Sequence, residues 1–224
     1  MQRDLREQSL IAFYFTGQVA RDQSFAEEET LRRVSRRAYR DLNRTITGMG
    51  SLHKAEDLRE EIHSSIISFV NNLDKECSRT AFDDRHHEWC EKAMASFHEH
   101  AKQHGSGVKL HYGQSQKWLN MTLKYLAVLG HEKTTAVYPH LHAPVDKFVV
   151  SAATASEGLG MTGTWVKPLR SAWSKIGVED YTAFQEALRA SVEQKYGGQW
   201  TVMDWEVAHW AMGSSTGMDR EDEH

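Results

Sequence analysis

Cysteine, proline and surplus positive charge are all scarce in this 224-residue chain, and each shortage closes a class of explanation. Two cysteines, Cys77 and Cys90, cannot build a disulfide framework, and no CxxC pair supports a thiolate metal site. They read as structural thiols in a reducing, cytoplasmic setting. Three prolines leave long stretches free to run as helix. The formal net charge is −4, and Asp219-Arg220-Glu221-Asp222-Glu223 supplies −3 of it (four acids, one base), which leaves the body at −1. That is not the balance of a strong general nucleic-acid binder, so any such binding must come from local patches. Met1-Gln2-Arg3-Asp4 is no apolar signal core, and no apolar run is long enough for a bilayer, so no membrane partner is expected. There is no internal repeat, no low-complexity linker and no cofactor motif. Strand signals are confined to Val108-Lys109-Leu110 and Trp200-Thr201-Val202.

Hydrophobic residues make up 40% and aromatics 10%, enough for a real core. Residues 1–24 mix Leu5, Leu10, Ile11, Phe13, Tyr14 and Phe15 with charges, as a helix or arm packed on that core. Ser24 before Glu27-Glu28-Glu29 reads as a helix start, the acids favouring the positive end of the dipole. Leu31, Val34, Ala38 and Leu42 follow on one stripe. Leu58, Ile62, Ile66, Phe69, Val70 and Leu73 form another helical pattern. Trp89, Met94, Phe97 and Ala101 form a further one, before a Gly105-Ser106-Gly107 turn. Gly158, Gly160 and Gly163 mark a loop. Tyr181 to Tyr196 is helical and ends at Gly197-Gly198, and Asp204 can cap a last helix through Trp205, Val207, Ala208 and Trp210. The expectation is an all-α fold, two packed helical lobes around a central buried helix. A single domain covers 1–213 and a disordered acidic tail covers 214–224.

The central stretch runs from His111 to Ala153. Between about Ser115 and Leu129 a helix with apolar residues nearly all round belongs inside a domain. Lys117, Asn120 and Lys124 are out of place there, and so is Asp146 at the start of the next helix. The run Gly113-Gln114-Ser115-Gln116-Lys117-Trp118-Leu119-Asn120, an apolar helix, then Pro144-Val145-Asp146-Lys147-Phe148-Val149 resembles the core of the helix-hairpin-helix DNA glycosylases. The likeness covers residues 111–153. It implies an all-α fold in which a glycine-containing hairpin precedes a helix bearing a nucleophilic lysine in its first turn. A Val-Asp pair opens the following helix.

On that resemblance the protein processes bases in DNA, hydrolysing an N-glycosidic bond. Asp146 would stabilise positive charge developing on the sugar, and Lys117 could attack carbon as a neutral amine. The target base must leave the stack, and Tyr112, Trp118 or Trp173 could line its pocket, with Gln114, Asn120, His140 and His142 as polar pocket groups. Read as structure alone, Asp146 is a capping acid, Lys117 snorkels to water, and the amides satisfy backbone groups.

Three other patterns stand apart from that stretch. Arg32, Arg36, Arg40 and Arg44 recur every four residues with Arg33 and Arg37 beside them, a ridge suited to phosphate oxygens. Pairing with Glu27, Glu28 and Glu29 is the plainer alternative. On either reading a non-catalytic helical module that binds nucleic acid or an acidic protein is the second function class. Arg79 and His86 form an Arg-x6-His pair loosely like that of HEPN-type ribonucleases, which gives the third. His100 and His104 share a helix face at a spacing zinc sites use, and His140-Leu141-His142 could present two imidazoles, but no HExxH accompanies them and no metal is called for.

Overall fold

The computed structural model describes residues 5–217, with side chains described over 7–209. Among the described residues there is no strand, and the all-α expectation holds. Two short helices come first, α1 (Leu5–Tyr14) and α2 (Gly17–Arg21), followed by α3 (Glu28–Arg40), α4 (Ala55–Asn71) and α5 (Arg79–Gln103). The central helix α6 (Tyr112–Leu129) leads into α7 (Glu132–Ala136), α8 (Lys147–Thr154), α9 (Val166–Ala172), α10 (Val178–Tyr196) and α11 (Val202–Gly217). α11 continues past Gly213, where the sequence suggests a tail; the rest of the acidic tail lies outside the described residues.

α6 is the axis of packing. It contacts α3, α5 and α10, and α8 and α11 pack on each other. One contiguous buried core runs through all of them, from Val34 and Leu58 to Val149, Leu188 and Trp205. The polar misfits of α6 stay inside: Lys117, Asn120 and Lys124 are 5%, 1% and 7% exposed. Cys90 is also buried, which pushes its thiol up to about 12 and makes it a small hydrophobe rather than a nucleophile.

Two helix starts differ from the expected pattern. α3 is capped from farther back than Ser24: Asp22 accepts from the Ser24 amide and hydroxyl through Oδ1 and from the Glu27 amide through Oδ2. At α11 Thr201 is the capping residue, its Oγ1 accepting from the Asp204 amide at 3.1 Å while Asp204 Oδ2 accepts from Thr201. The α11 start is a reciprocal pair and the α3 start one acid that accepts from two residues, arrangements that a position-by-position reading overlooks.

Gly113 does not sit in a hairpin before α6. It lies in the helix's first turn, which follows an irregular segment, and Lys117 falls in the second turn. Its small size is needed because the turn Trp173–Lys175 crosses directly over it. A Cβ at 113 would lie 2.1 Å from the Trp173 carbonyl oxygen, and the Gly113 amide donates to the Ile176 carbonyl. Gly113→Ala is therefore expected to cost about 1–3 kcal/mol through overpacking. Urea denaturation checks this, and a cost under about 0.5 kcal/mol would mean that the 173–176 crossing simply moves aside.

Candidate functional site

A cleft of about 590 Å³ opens between α6, the α3 end and the start of α8. Lys117 and Asp146 both face it, and Lys117 Nζ donates to Asp146 Oδ2 at 2.6 Å. The Trp173 ring centre lies 6.0 Å from the same ammonium. Two helical turns along α6, on the same face, Lys124 also lines the cleft and is tied to Glu206 of α11, its Nζ 2.8 Å from Oε1 and 2.6 Å from Oε2. Burial pushes the Glu206 carboxyl up, against the opposing pull of Lys124.

The mouth is cationic and aromatic together. Arg37, Arg40 and Arg44 stand on one side, and Tyr14, Phe15, Tyr125 and Phe148 supply ring surface. Arg37 is held by Asp41 and lies over the Tyr14 and Tyr125 rings, 5.6 and 5.9 Å from their centres. Arg40 and Arg44 are exposed and carry no ion pair among the described residues. The lining thus offers five cationic side chains against the carboxylates of Asp41 and Asp146. Such a cleft suits a ligand with an anionic group and a flat or apolar part.

Asp146 reaches this cleft from a segment without regular structure, and two glutamines hold that segment. Gln116 accepts from the Val145 amide at 3.2 Å and donates to the Val145 carbonyl at 3.0 Å. Gln185 does the same to Ala143, at 3.3 and 2.7 Å. Each side-chain amide acts as a strand neighbour would, satisfying the donor and the acceptor of one buried residue. Asp146 itself caps α8, Oδ1 accepting from the Phe148 and Val149 amides at 2.9 Å each. Oδ2 is left for Lys117.

Behind the cleft a chain of buried hydrogen bonds crosses the core. Arg189 donates both of its terminal nitrogens to Asp83, at 2.8 and 2.7 Å. His142 Nε2 donates to Asp83 Oδ1 at 2.7 Å, and the Tyr181 hydroxyl donates to His142 Nδ1 at 2.6 Å. Asn120 Nδ2 donates to Tyr181 Oη and to Gln116 Oε1, while His86 Nε2 donates to Asn120 Oδ1 at 2.9 Å. These directions follow from a neutral His142. Burial holds its ring below the ordinary histidine value, and burial with the neighbouring His142 holds His86 lower still. Burial alone would raise Asp83, yet the bonds from His142 and Arg189 overcome it and keep the carboxyl well below its usual range.

The chain matches no family model, no curated protein and no solved structure.

Of the residues singled out in the sequence, the cleft gathers Lys117, Asp146, Arg37, Arg40 and Arg44. The others lie elsewhere. Trp118 is fully buried against Tyr39 and His63, its indole N–H donating to Ser35 at 3.2 Å, so it faces α3 and α4. Tyr112 packs beside Tyr181 and His87. Gln114 caps α6 and donates to the Thr45 carbonyl at 2.6 Å. Asn120 and His142 belong to the buried chain, and His140 stands at its edge, its carbonyl accepting from Arg189. Arg32 and Arg36 both grip Glu60 of α4, Arg33 pairs with Glu29, and Arg44 lies past α3 in the turn Asn43–Thr45. The ridge therefore divides: Arg32, Arg33 and Arg36 are paired away from the cleft, while Arg37, held by Asp41, and Arg40 and Arg44 line it.

The sequence singled out Lys124 as a misfit of α6 but gave no sign of Glu206, so the second pair at the site went unseen. Lys124 carried a usable signal, because it stands seven residues after Lys117 in the same helix. Arg79 opens α5 at the surface, while His86, two turns further along, is 1% exposed and bonded to Asn120. Among the described residues no group of three His, Cys, Asp or Glu side chains could hold a metal ion.

Proposed function

We propose that the cleft receives a damaged or modified base of DNA and that the protein cleaves its N-glycosidic bond. The observation that carries this reading is the meeting of Lys117 and Asp146 in one cleft whose mouth holds Arg40 and Arg44, which carry no ion pair among the described residues. Departure of the base leaves positive charge on the sugar, and a carboxylate fixed by a helix cap needs no reorganisation to oppose it. Lys117 is the adjacent amine. Freed from Asp146 and deprotonated, it is the candidate nucleophile at the sugar carbon. Arg40 and Arg44 would take the flanking phosphates, and Tyr14, Phe15, Tyr125 and Phe148 offer faces on which a base can stack.

One specific observation favours a second reading, a non-catalytic helical module that binds nucleic acid or an acidic protein partner. Both Asp146 oxygens are already engaged, Oδ1 by two amides and Oδ2 by Lys117. The same cationic, aromatic cleft would then bind without chemistry.

Base release from normal, damaged and modified duplexes at low salt, scored as alkali-labile sites, separates the two. The first reading expects release from at least one substrate, reduced about 100-fold or more in Asp146→Asn, and a borohydride-trapped adduct lost in Lys117→Met. No release from any substrate, with DNA retention that weakens in Arg40→Ala and Arg44→Ala, would replace it by the binding module.

A further inference from the structure

Apart from the cleft, a recess of about 400 Å³ lies where the loop before α4 meets the segment leading into α6. Lys109, His111 and Lys175 line it and no carboxylate does, in a chain whose acids outnumber its lysines and arginines 31 to 27. Lys109 and Lys175 are exposed, and their side chains make no ion pair or hydrogen bond among the described residues. Both stand near His111: burial first, then the charges of Lys175 and Lys109, hold its ring below the ordinary histidine value. His111 and Gln114 also bring the start of α6 to the wall, so the positive end of that 18-residue helix adds to the field.

The walls are tied together within the fold. Gln114 Nε2 donates to the Thr45 carbonyl at 2.6 Å, which fastens the loop to α6. Gly48 adopts φ +89° and packs so near Val108 that a Cβ at 48 would lie 3.0 Å from Val108 Cγ2. Two of the four hydroxyls on the wall have spent their protons, Thr45 on the Leu42 carbonyl and Ser51 on the Gly48 carbonyl. The other two are free to donate. Ser106 Oγ only accepts, from the Val108 amide at 3.2 Å, and the Thr47 hydroxyl makes no hydrogen bond among the described residues. Ammonium groups and hydroxyl donors around one concavity are the partners that phosphate oxygens take up. No Phe, Tyr or Trp lines the recess, so a base or other flat ring finds no stacking partner there.

We propose that this recess binds the phosphate group of a small phosphomonoester or of inorganic phosphate, with Lys109 and Lys175 as counter-charges and Ser106 and Thr47 as hydrogen-bond donors. The nearly double charge of such a group at neutrality suits two unpaired cations better than the single charge of a backbone diester does. The site is separate from the cleft and stands whether or not the cleft processes bases.

Calorimetric titrations with inorganic phosphate and, separately, with glycerol 3-phosphate test this, at an ionic strength held constant with sodium chloride. One ion per chain is expected to bind, at least about tenfold more weakly in Lys109→Ala and in Lys175→Ala. Tighter binding of glycerol 3-phosphate would name a phosphomonoester as the ligand, and tighter or equal binding of inorganic phosphate would name the free ion. Lys167→Ala, at an exposed lysine outside the recess, should bind as the wild type does. Circular dichroism checks that each variant keeps its helices. No saturable binding of either probe by the wild-type protein would overturn the proposal, and so would binding that survives unchanged in Lys109→Ala and Lys175→Ala. Retention of duplex DNA that falls in these variants, with neither small probe bound, would replace it by a backbone contact.

Discussion

Asp146→Ala should lower the unfolding free energy by about 3–5 kcal/mol, because it leaves the buried Lys117 ammonium without its counter-charge. Loss of the α8 cap adds about 1 kcal/mol. The size of the effect comes from burial, the two side chains being 6% and 11% exposed and 2.6 Å apart. Asp146→Asn should cost less, since its amide oxygen can keep accepting from the Phe148 and Val149 amides while the charge is lost. In Lys117→Met with Asp146→Asn no charge is stranded, and most of the loss should return. A double-mutant cycle in urea at pH 7 measures this coupling directly. If Asp146→Ala costs no more than the cap, the ammonium reaches water through the cleft and the pair contributes little to stability. The cycle also shows why asparagine, not alanine, is the variant for activity work: a chain that unfolds cannot report on chemistry.

Acid should destabilise the protein steeply between pH 6.5 and 4. His63 is buried between α3 and α4, its Nδ1 2.8 Å from Ser35 Oγ and its ring edge-on to Trp118. Burial lowers its pKa from 6.5 to about 4. A group whose folded value is depressed contributes fully above its unfolded value, and that contribution is lost as the pH falls toward the folded one. The unfolded chain protonates His63 near pH 6.5 and the native chain only near 4, so this residue alone removes about 3 kcal/mol across the window. His86 and His142 are displaced in the same direction by the same cause and deepen the loss. Asp83 adds its own loss only at still lower pH, where its carboxylate finally protonates. Urea midpoints at pH 7.5, 6, 5 and 4.5 give the slope, and His63→Gln should flatten it. A stability profile flat from pH 7 to 4.5 would show that these rings take up protons without opening the core.

The helices were legible because their apolar spacing is regular, and α6 because its apolar character is continuous. Asp146 was legible too, since an aspartate just before Phe148-Val149-Val150 has the form of a cap. Facing was not. A helix buried all round gives no face to its residues, so Trp118 and Lys117, neighbours in sequence, look alike as pocket candidates yet point in directions about 100° apart around α6, one at Ser35 and one into the cleft. Partners distant in sequence were hidden for a related reason. Nothing near Arg32 and Arg36 announces Glu60, and nothing near Lys124 announces Glu206, because each pair exists only after two helices have docked. The resemblance at Gly113 gave the right residue a different task, since it clears space for the Trp173 backbone rather than turning a hairpin.

The glutamine clamps on Ala143 and Val145 bear on how this chain can change over time. Loops elsewhere can gain or lose a residue at little thermodynamic cost. Between His142 and Asp146 they cannot, because His142, Ala143, Val145 and Asp146 are gripped by side chains of three helices, α5, α10 and α6, within five consecutive positions. One inserted residue would move at least two of the four grips out of register and strand a buried amide or a buried charge. A change of side chain leaves the backbone grips on Ala143 and Val145 in place, and a change of length does not.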